Sequence, residues 1–251
     1  MHVTKDIPDM IEEARNLYPA LEFVYSEPLG VHNKLVQVVL ERIYSANRMK
    51  PEQIETRSFD IISEEDDFSG IPSAQLPIIK RVIHATADYE FKESMVFHPD
   101  AVNIGLKAIK SGKDILTDVE MVKTGINKKL LAQCGGKVIC GIQSIGDSEE
   151  FAINKTRAAA GIEAALAVNN NIGIVAIGNA PTALIKIIEL LLKSNHEILV
   201  IGVPVGFVNA LESKILLATQ KFPFITNLSR KGGSPVAVAI VNALLKMAGE
   251  G

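Results

Sequence analysis

Tryptophan is absent from the 251 residues, and aromatic residues make up only 5% of them. A core without large rings must be aliphatic and rich in alanine, which suits parallel strands covered by helices better than an all-β sandwich. Cysteine occurs only as Cys134 and Cys140. Two such thiols make neither a disulfide scaffold nor a zinc pattern, and no His stands at ligand spacing from them. They are expected as reduced core residues, and no metal site is expected. No apolar run approaches the roughly 18 residues of a membrane span. The start, Met1-His2-Val3-Thr4-Lys5-Asp6, has no apolar signal segment. The expectation is a cytoplasmic protein with no membrane partner. Basic surplus is also missing: 26 Lys and Arg face 29 Asp and Glu, for a net charge of −3. That argues against a general nucleic-acid binder, so an acidic ligand would need a local cluster of cations. Neither a G-x-G-x-x-G after a strand nor a G-x-x-x-x-G-K-[ST] occurs, and Gly202-Val203-Pro204-Val205-Gly206 is only superficially similar. A nucleotide-dependent enzyme is therefore disfavoured.

What is present is a globular composition, 47% hydrophobic and 22% charged. Residues 1–50 read as an appendage, with helices over Asp9–Tyr18 and His32–Ala46 and a short strand over Leu21–Tyr25. Arg48-Met49-Lys50-Pro51 marks the boundary, so residues 51–251 form the main domain. There Pro51–Ile62 mixes polar and apolar residues, and the acidic run Ser63–Asp67 reads as a solvated loop. From residue 98 onward, short apolar strands alternate with longer helices. Helices are expected over Pro99–Lys110, Val119–Thr124, Arg157–Val168, Pro181–Leu192, Asn209–Thr219 and Pro235–Met247. Strands are expected over Asp114–Thr117, Lys137–Cys140, Ile172–Ile177, Glu197–Ile201 and Pro223–Ile225. This alternation predicts βαβ units, and hence a three-layer α/β/α fold with a mainly parallel sheet.

The stretch from Pro77 to Asp88 is the most informative. Pro77 suits the first turn of a helix. At helical spacing Ile78, Ile79, Val82 and Ile83 form a buried stripe, while Arg81, His84 and Asp88 share the opposite face. That face is either a solvated polar surface or a proton-transfer site with an anion clamp beside it, since His is the usual acid or base near pH 7. On the second reading Asp88 lies within reach of the imidazole. His98 and His196 read as structural, at a helix entrance and in a surface turn, and His2 and His32 lie in the appendage.

Ligands of a parallel sheet bind beyond the carboxyl ends of its strands, at helix N-termini. Three turns there are unusual: Thr156-Arg157, Ile177-Gly178-Asn179-Ala180-Pro181-Thr182, and Ser229-Arg230-Lys231-Gly232-Gly233-Ser234-Pro235. Thr156 and Ser234 suit N-caps. A cation at a helix N-terminus opposes the macrodipole by roughly 0.3–1 kcal/mol. Either a bound anion reverses that sign, or the cost is tolerated or neutralised by a local Asp or Glu.

Read together, these segments resemble a known family. Arg57-Ser58-Phe59, Arg81-Val82-Ile83-His84-Ala85, Ile115-Leu116-Thr117-Asp118-Val119-Glu120-Met121-Val122, Thr156-Arg157-Ala158-Ala159, Ala176–Leu184, Gly206-Phe207-Val208, Glu212-Ser213-Lys214 and Ser229–Ser234 follow the order seen in precorrin-8X and cobalt-precorrin-8 methylmutases. The resemblance spans about residues 51–248. It implies a cofactor-free, dimeric isomerase of cobalamin synthesis, with each site completed near the subunit interface. The reaction implied moves a methyl group from C-11 to C-12 of a tetrapyrrole as a [1,5]-sigmatropic shift. By the same resemblance His84 is the catalytic residue, and Ser58, Arg81, Thr156, Arg157, Asn179, Pro181, Thr182, Arg230 and Gly232 face substrate. A tetrapyrrole carrier that retains the pocket without catalysis is the alternative, and intact His84 and Ser58 count against it. The first fifty residues stand apart. Glu22–His32 and Val39–Ile43 are similar to the closing segment of a small sirohydrochlorin cobaltochelatase. The metal-binding histidines of that family lie upstream of such a tail, so no chelatase activity is expected. The similarity does favour a cobalt-containing substrate.

Overall fold

The computed structural model describes residues 7–24, 33–46, 50–144, 156–194 and 197–250. The chain divides into two compact units, Met1–Thr56 and Arg57–Gly251. The first contains α1 (Ile7–Leu17) and α2 (Asn33–Ala46). No strand forms over residues 21–24 and Tyr25 lies outside the described residues, so the expected strand Leu21–Tyr25 is not found. Its backbone is engaged locally instead: Leu21 N–H donates to the Tyr18 carbonyl at 3.0 Å, and the Phe23 carbonyl accepts from Arg15 at 2.7 Å. Helix α3 (Pro51–Glu65) carries the boundary between the units.

Among the described residues, the second unit is built on a six-stranded sheet. Its strands are β1 (Met95–Phe97), β2 (Asp114–Thr117), β3 (Val138–Cys140), β4 (Ile172–Ile177), β5 (Leu199–Gly202) and β6 (Phe224–Asn227). They lie in the order β1-β6-β5-β4-β2-β3. All neighbours are parallel except β1, which pairs antiparallel with β6. Alternate residues of the central strands face opposite layers. Ile115, Ile174, Ala176, Leu199, Ile201 and Ile225 enter one apolar core, and Leu116, Val175, Ile177, Val200 and Phe224 enter the other. The first core packs under α4 (Leu76–Thr86), α6 (Ala101–Lys110), α7 (Glu120–Gly125), α8 (Lys128–Gln133) and α12 (Ser234–Glu250). The second packs under α9 (Arg157–Val168), α10 (Pro181–Leu191) and α11 (Ala210–Ala218). The expected three-layer α/β/α fold is thus present. Between α4 and β1 the chain also forms the short α5 (Glu90–Ser94). The short elements α5, β1 and α8 were not predicted, because segments of three to six residues carry little periodicity.

Two further differences from expectation have clear causes. The acidic run is exposed as expected for the most part but is only partly a loop: its first three residues continue α3, because Phe59 and the buried Ile62 repeat at helical spacing toward the core, and Asp66 and Asp67 follow the helix. The acidic side chains also have partners. Glu65 accepts from the Tyr89 hydroxyl at 2.6 Å, and Asp66 meets Lys92 at 2.7 Å. His98 behaves as expected at the entrance of α6. Its Nδ1 accepts the Asp100 N–H at 3.2 Å and its ring lies edge-on to Phe224. His196, His2 and His32 lie outside the described residues.

The topology fixes where a ligand can sit. From β2 the chain goes to one side to form β3, then crosses back to form β4 on the other side of β2. In open parallel sheets the crevice that takes ligands lies beyond the carboxyl ends of the strands at such a reversal, which here are β2 and β4. Among the described residues no helix is long and apolar enough to cross a membrane.

Candidate active site

Helix α4 places the first group of candidate residues. Ile78, Ile79, Val82 and Ile83 are buried as predicted, each worth roughly 1.5–3 kcal/mol relative to exposure. That stripe turns Arg81 and His84 outward, where both meet one ring. The His84 imidazole stacks on Phe59 of α3 at 5.2 Å between centroids and 24° between planes. The Arg81 guanidinium lies over the same ring at 4.9 Å. Ser58, half-buried, precedes that ring in α3. One aromatic ring thus contacts both an imidazole and a guanidinium.

Asp88 does not join this face. Ala87 takes a left-handed conformation, with φ of 52°, and its N–H closes the helix on the Ile83 carbonyl. Asp88 lies beyond that stop and its Oδ2 meets Lys231 Nζ at 2.6 Å. The carboxylate expected beside the imidazole is committed to a lysine instead. The i+7 spacing holds only where the helix continues.

A second group surrounds the sheet crevice. Thr156 caps α9, accepting the Ala159 N–H at 3.3 Å. Its Oγ1 also lies 2.6 Å from Thr182 Oγ1, which ties the first turns of α9 and α10 together. Arg157, the first residue of α9, is exposed beside this tie. Pro181 opens α10, where no N–H is needed. The turn before it is held from below by Asp118, which is fully buried at the end of β2. Its carboxylate accepts the N–H groups of Gly178, Asn179 and Ala180 at 3.1, 2.8 and 2.8 Å. Burial pushes the Asp118 carboxyl above its usual range, and those three N–H groups pull against it. Gly178 fits because a Cβ there would stand 2.9 Å from the Ser234 backbone.

The third group is the loop from β6 to α12. Lys214 is fully buried within α11. Its Nζ donates to Asn227 Oδ1 at 3.2 Å, to the Lys231 carbonyl at 2.7 Å and to the Ser229 carbonyl. Burial draws the Lys214 ammonium down to about 8. Outside this hub, Lys231 also meets Glu90 at 2.7 Å, and Ser229 Oγ donates to Glu90 at 2.9 Å. Lys231 is thus the cation neutralised by local carboxylates. Arg230 points elsewhere, its guanidinium 5.6 Å over the Phe207 ring. Gly232 has a backbone reason to be glycine: φ is +146° and a Cβ would stand 2.3 Å from the Val203 carbonyl.

Among the described residues, two recesses have volumes of about 260 Å³ each. One is bounded by Phe59, Lys80, Arg81 and Lys246, beside the His84 stack. The other lies near the far ends of α9 and α10, by Leu166 and Leu191. Among the described residues no cluster of His, Cys, Asp or Glu is placed to hold a metal ion. The geometry therefore offers an exposed imidazole, exposed cations and helix N-termini.

The family profile of the precorrin-8X methylmutases matches residues 53–247. The chain belongs to the precorrin-8X methylmutase family. Residues 1–46 match a second family, CbiX. The cobalt-precorrin-8 methylmutase of Priestia megaterium is 46% identical over 205 residues, covering 81% of this chain and 91% of the relative. The precorrin-8X methylmutase of a Sinorhizobium species is 37% identical, covering 76% and 91%. The solved precorrin-8X methylmutase of Thermus thermophilus superposes with a TM-score of 0.70 at 38% identity, covering 78% of this chain and 98% of that one.

Within this methylmutase fold, the predicted residues fall into separate contacts. Arg81 and His84 share Phe59, Thr156 meets Thr182, and Asn179 and Pro181 sit on or beside the Asp118 turn. Arg230 and Gly232 belong to the Lys214 loop. The supporting residues Phe59, Asp118 and Lys214 stand in the segments that carry the resemblance, yet their roles were not assigned from sequence. A signal existed for Lys214, which shares the spacing of Ala210, Ser213 and Leu217, the buried stripe of α11.

Proposed function

We propose that this chain converts cobalt-precorrin-8 by moving a methyl group from C-11 to C-12, with His84 as general acid. Its imidazolium donates a proton to a ring nitrogen of the tetrapyrrole. The bond from C-11 to the methyl carbon then breaks as the bond to C-12 forms, and the π-bonds relocate within the macrocycle. The proton returns to His84, so the product is an isomer and no oxidant is consumed. A general acid supplies about 10²–10⁴-fold. The remainder comes from holding the macrocycle in place and stabilising its charge. The carrying observation is the His84–Phe59 stack, which holds an exposed imidazole in a fixed plane within the family's matched span.

Arg157 and Arg230 hold side-chain carboxylates of the substrate, and Arg81 does so beside the acid. Thr156, Thr182, Asn179 and Ser58 supply polar contacts, Pro181 shapes the helix entrance, and Gly232 lets the backbone approach. The cobalt form is favoured by the names of relatives such as that of Priestia megaterium and by the CbiX-like segment. Residues 1–50 form an appendage to a methylmutase domain over 51–251. A second copy of the chain covers the open edge, where Phe207 and Val208 are 83% and 79% exposed. Sedimentation should return a dimer, and Phe207→Asp should shift it toward monomer.

The direct test is to mix the protein with cobalt-precorrin-8 and, separately, with its metal-free counterpart while following the visible band. Rapid conversion of the cobalt form supports the reading. Tight binding with an unchanged chromophore would make the protein a carrier, and preference for the metal-free form would reverse the substrate assignment.

A further inference from the structure

Lys214 is a buried ammonium whose three acceptors are all neutral oxygens. Taking such a charge out of water is costly, and a methionine of similar length would fill the same space without the penalty. The arrangement around it shows what the charge accomplishes. Two of the acceptors are carbonyls of the Ser229–Lys231 segment, on either side of Arg230, and the third is the side chain of Asn227 at the end of β6. Asn227 closes the ring by donating from Nδ2 to the Lys231 carbonyl at 3.0 Å. The Arg230 carbonyl accepts the Gly206 N–H at 3.2 Å. The loop is therefore wrapped around one ammonium. Its outer side ties to the segment between α4 and α5 and to the start of α5, through Lys231 with Asp88 and Glu90.

We infer that Lys214 is a positioning residue: its ammonium holds the Ser229–Lys231 loop in the shape that presents Arg230 to a substrate carboxylate. The inference rests on the proposed reading of Arg230 as a carboxylate clamp. A lysine that served only to fill the core would be replaceable by an apolar side chain without effect on binding. A lysine that shapes the clamp would not be.

The test is a double-mutant cycle with cobalt-precorrin-8 as substrate. Lys214→Met should raise KM about tenfold while leaving kcat within about threefold, because the clamp and not the acid is disturbed. Arg230→Ala in the wild-type background should raise KM by a similar factor, and adding it to Lys214→Met should change KM by less than about twofold. A full Arg230 effect persisting in Lys214→Met would leave the clamp standing and overturn the positioning role. A wild-type KM in Arg230→Ala alone would overturn the clamp and the inference together.

Should Lys214→Met fail to fold, the native protein supplies the second arm. Raising pH through about 8 removes the Lys214 proton and its full hold on the loop. The charged groups facing the loop are Asp88, Glu90, Lys231, Arg230 and, on α11 itself, Glu212. Ion pairing with one another holds the Asp88 and Glu90 carboxyls below the usual range and Lys231 above it. KM should therefore rise about threefold or more between about pH 7 and pH 9.5, and recover on return. A flat KM across that range would overturn the inference.

Discussion

The His84 shelf and the crevice of the sheet are built on opposite plans. At the shelf, two outward side chains of one regular helix rest on a single ring, and the buried side of the helix is wholly apolar. At the crevice, the outward residues are held by buried polar groups, Asp118 beneath the 178–180 turn and Lys214 beneath the 229–231 loop. The difference follows from the backbone. A helix satisfies its own N–H and C=O groups, so hydrophobic burial suffices to aim its side chains. A loop leaves those groups unmet inside the protein, and a buried charge of the right sign can gather several at once. The shelf should therefore tolerate changes beneath it that keep volume, whereas the crevice should fail when one buried charge is lost.

The largest expected effect tests that contrast in stability. Asp118→Ala strips the acceptor from three backbone N–H groups, each worth roughly 1–3 kcal/mol when left unsatisfied. The relief of a buried charge offsets part of this, so the net loss should be about 3 kcal/mol in urea unfolding. Asp118→Asn keeps one acceptor and should lose less. Ile79→Val, under the shelf, should cost only about 0.5–1.5 kcal/mol. Equal losses at the two sites would break the comparison.

The same contrast explains what the sequence discloses. The α4 stripe, the strands from residue 114 onward and the cap at Thr156 are readable because they depend on local periodicity and chemistry. The pairing of Asp88 with Lys231 was not readable. It depends on the left-handed turn at Ala87 and on a contact 143 residues apart. Asp118 likewise reads as one more carboxylate until β4 is placed beside β2, 60 residues on. The edge strand β1 is three residues long and is defined by its partner rather than by its own pattern.

Affinity offers the next sharpening. Arg157→Ala and Arg230→Ala should each cost roughly 1.5–3 kcal/mol in substrate binding, and added salt should weaken the wild type more than either variant. Titration at two ionic strengths reads this. Unchanged affinity in both variants would return those cations to the solvent.

A smaller effect concerns pH and stability. Lys214 has a folded pKa of about 8 against an unfolded value of 10.5. Between these the unfolded chain holds more protons, so this group makes stability rise with pH across that window. The slope should vanish in Lys214→Met, and subtracting the two curves removes Tyr89, pushed up to about 12 by its bond to Glu65. The smallest effect should come from the appendage. Deleting residues 1–48 should leave turnover largely intact, since the methylmutase match begins at residue 53. A folded but inactive truncation would move the boundary.

The central claim is that the shelf does the chemistry and the crevice does the holding. Turnover and binding measured together on His84→Asn test it most directly, because asparagine keeps a hydrogen-bond donor but cannot transfer its proton usefully. The account predicts that this variant binds cobalt-precorrin-8 as the wild type does, yet shifts its visible band about 10²-fold more slowly or worse. Conversion at close to the wild-type rate would contradict it.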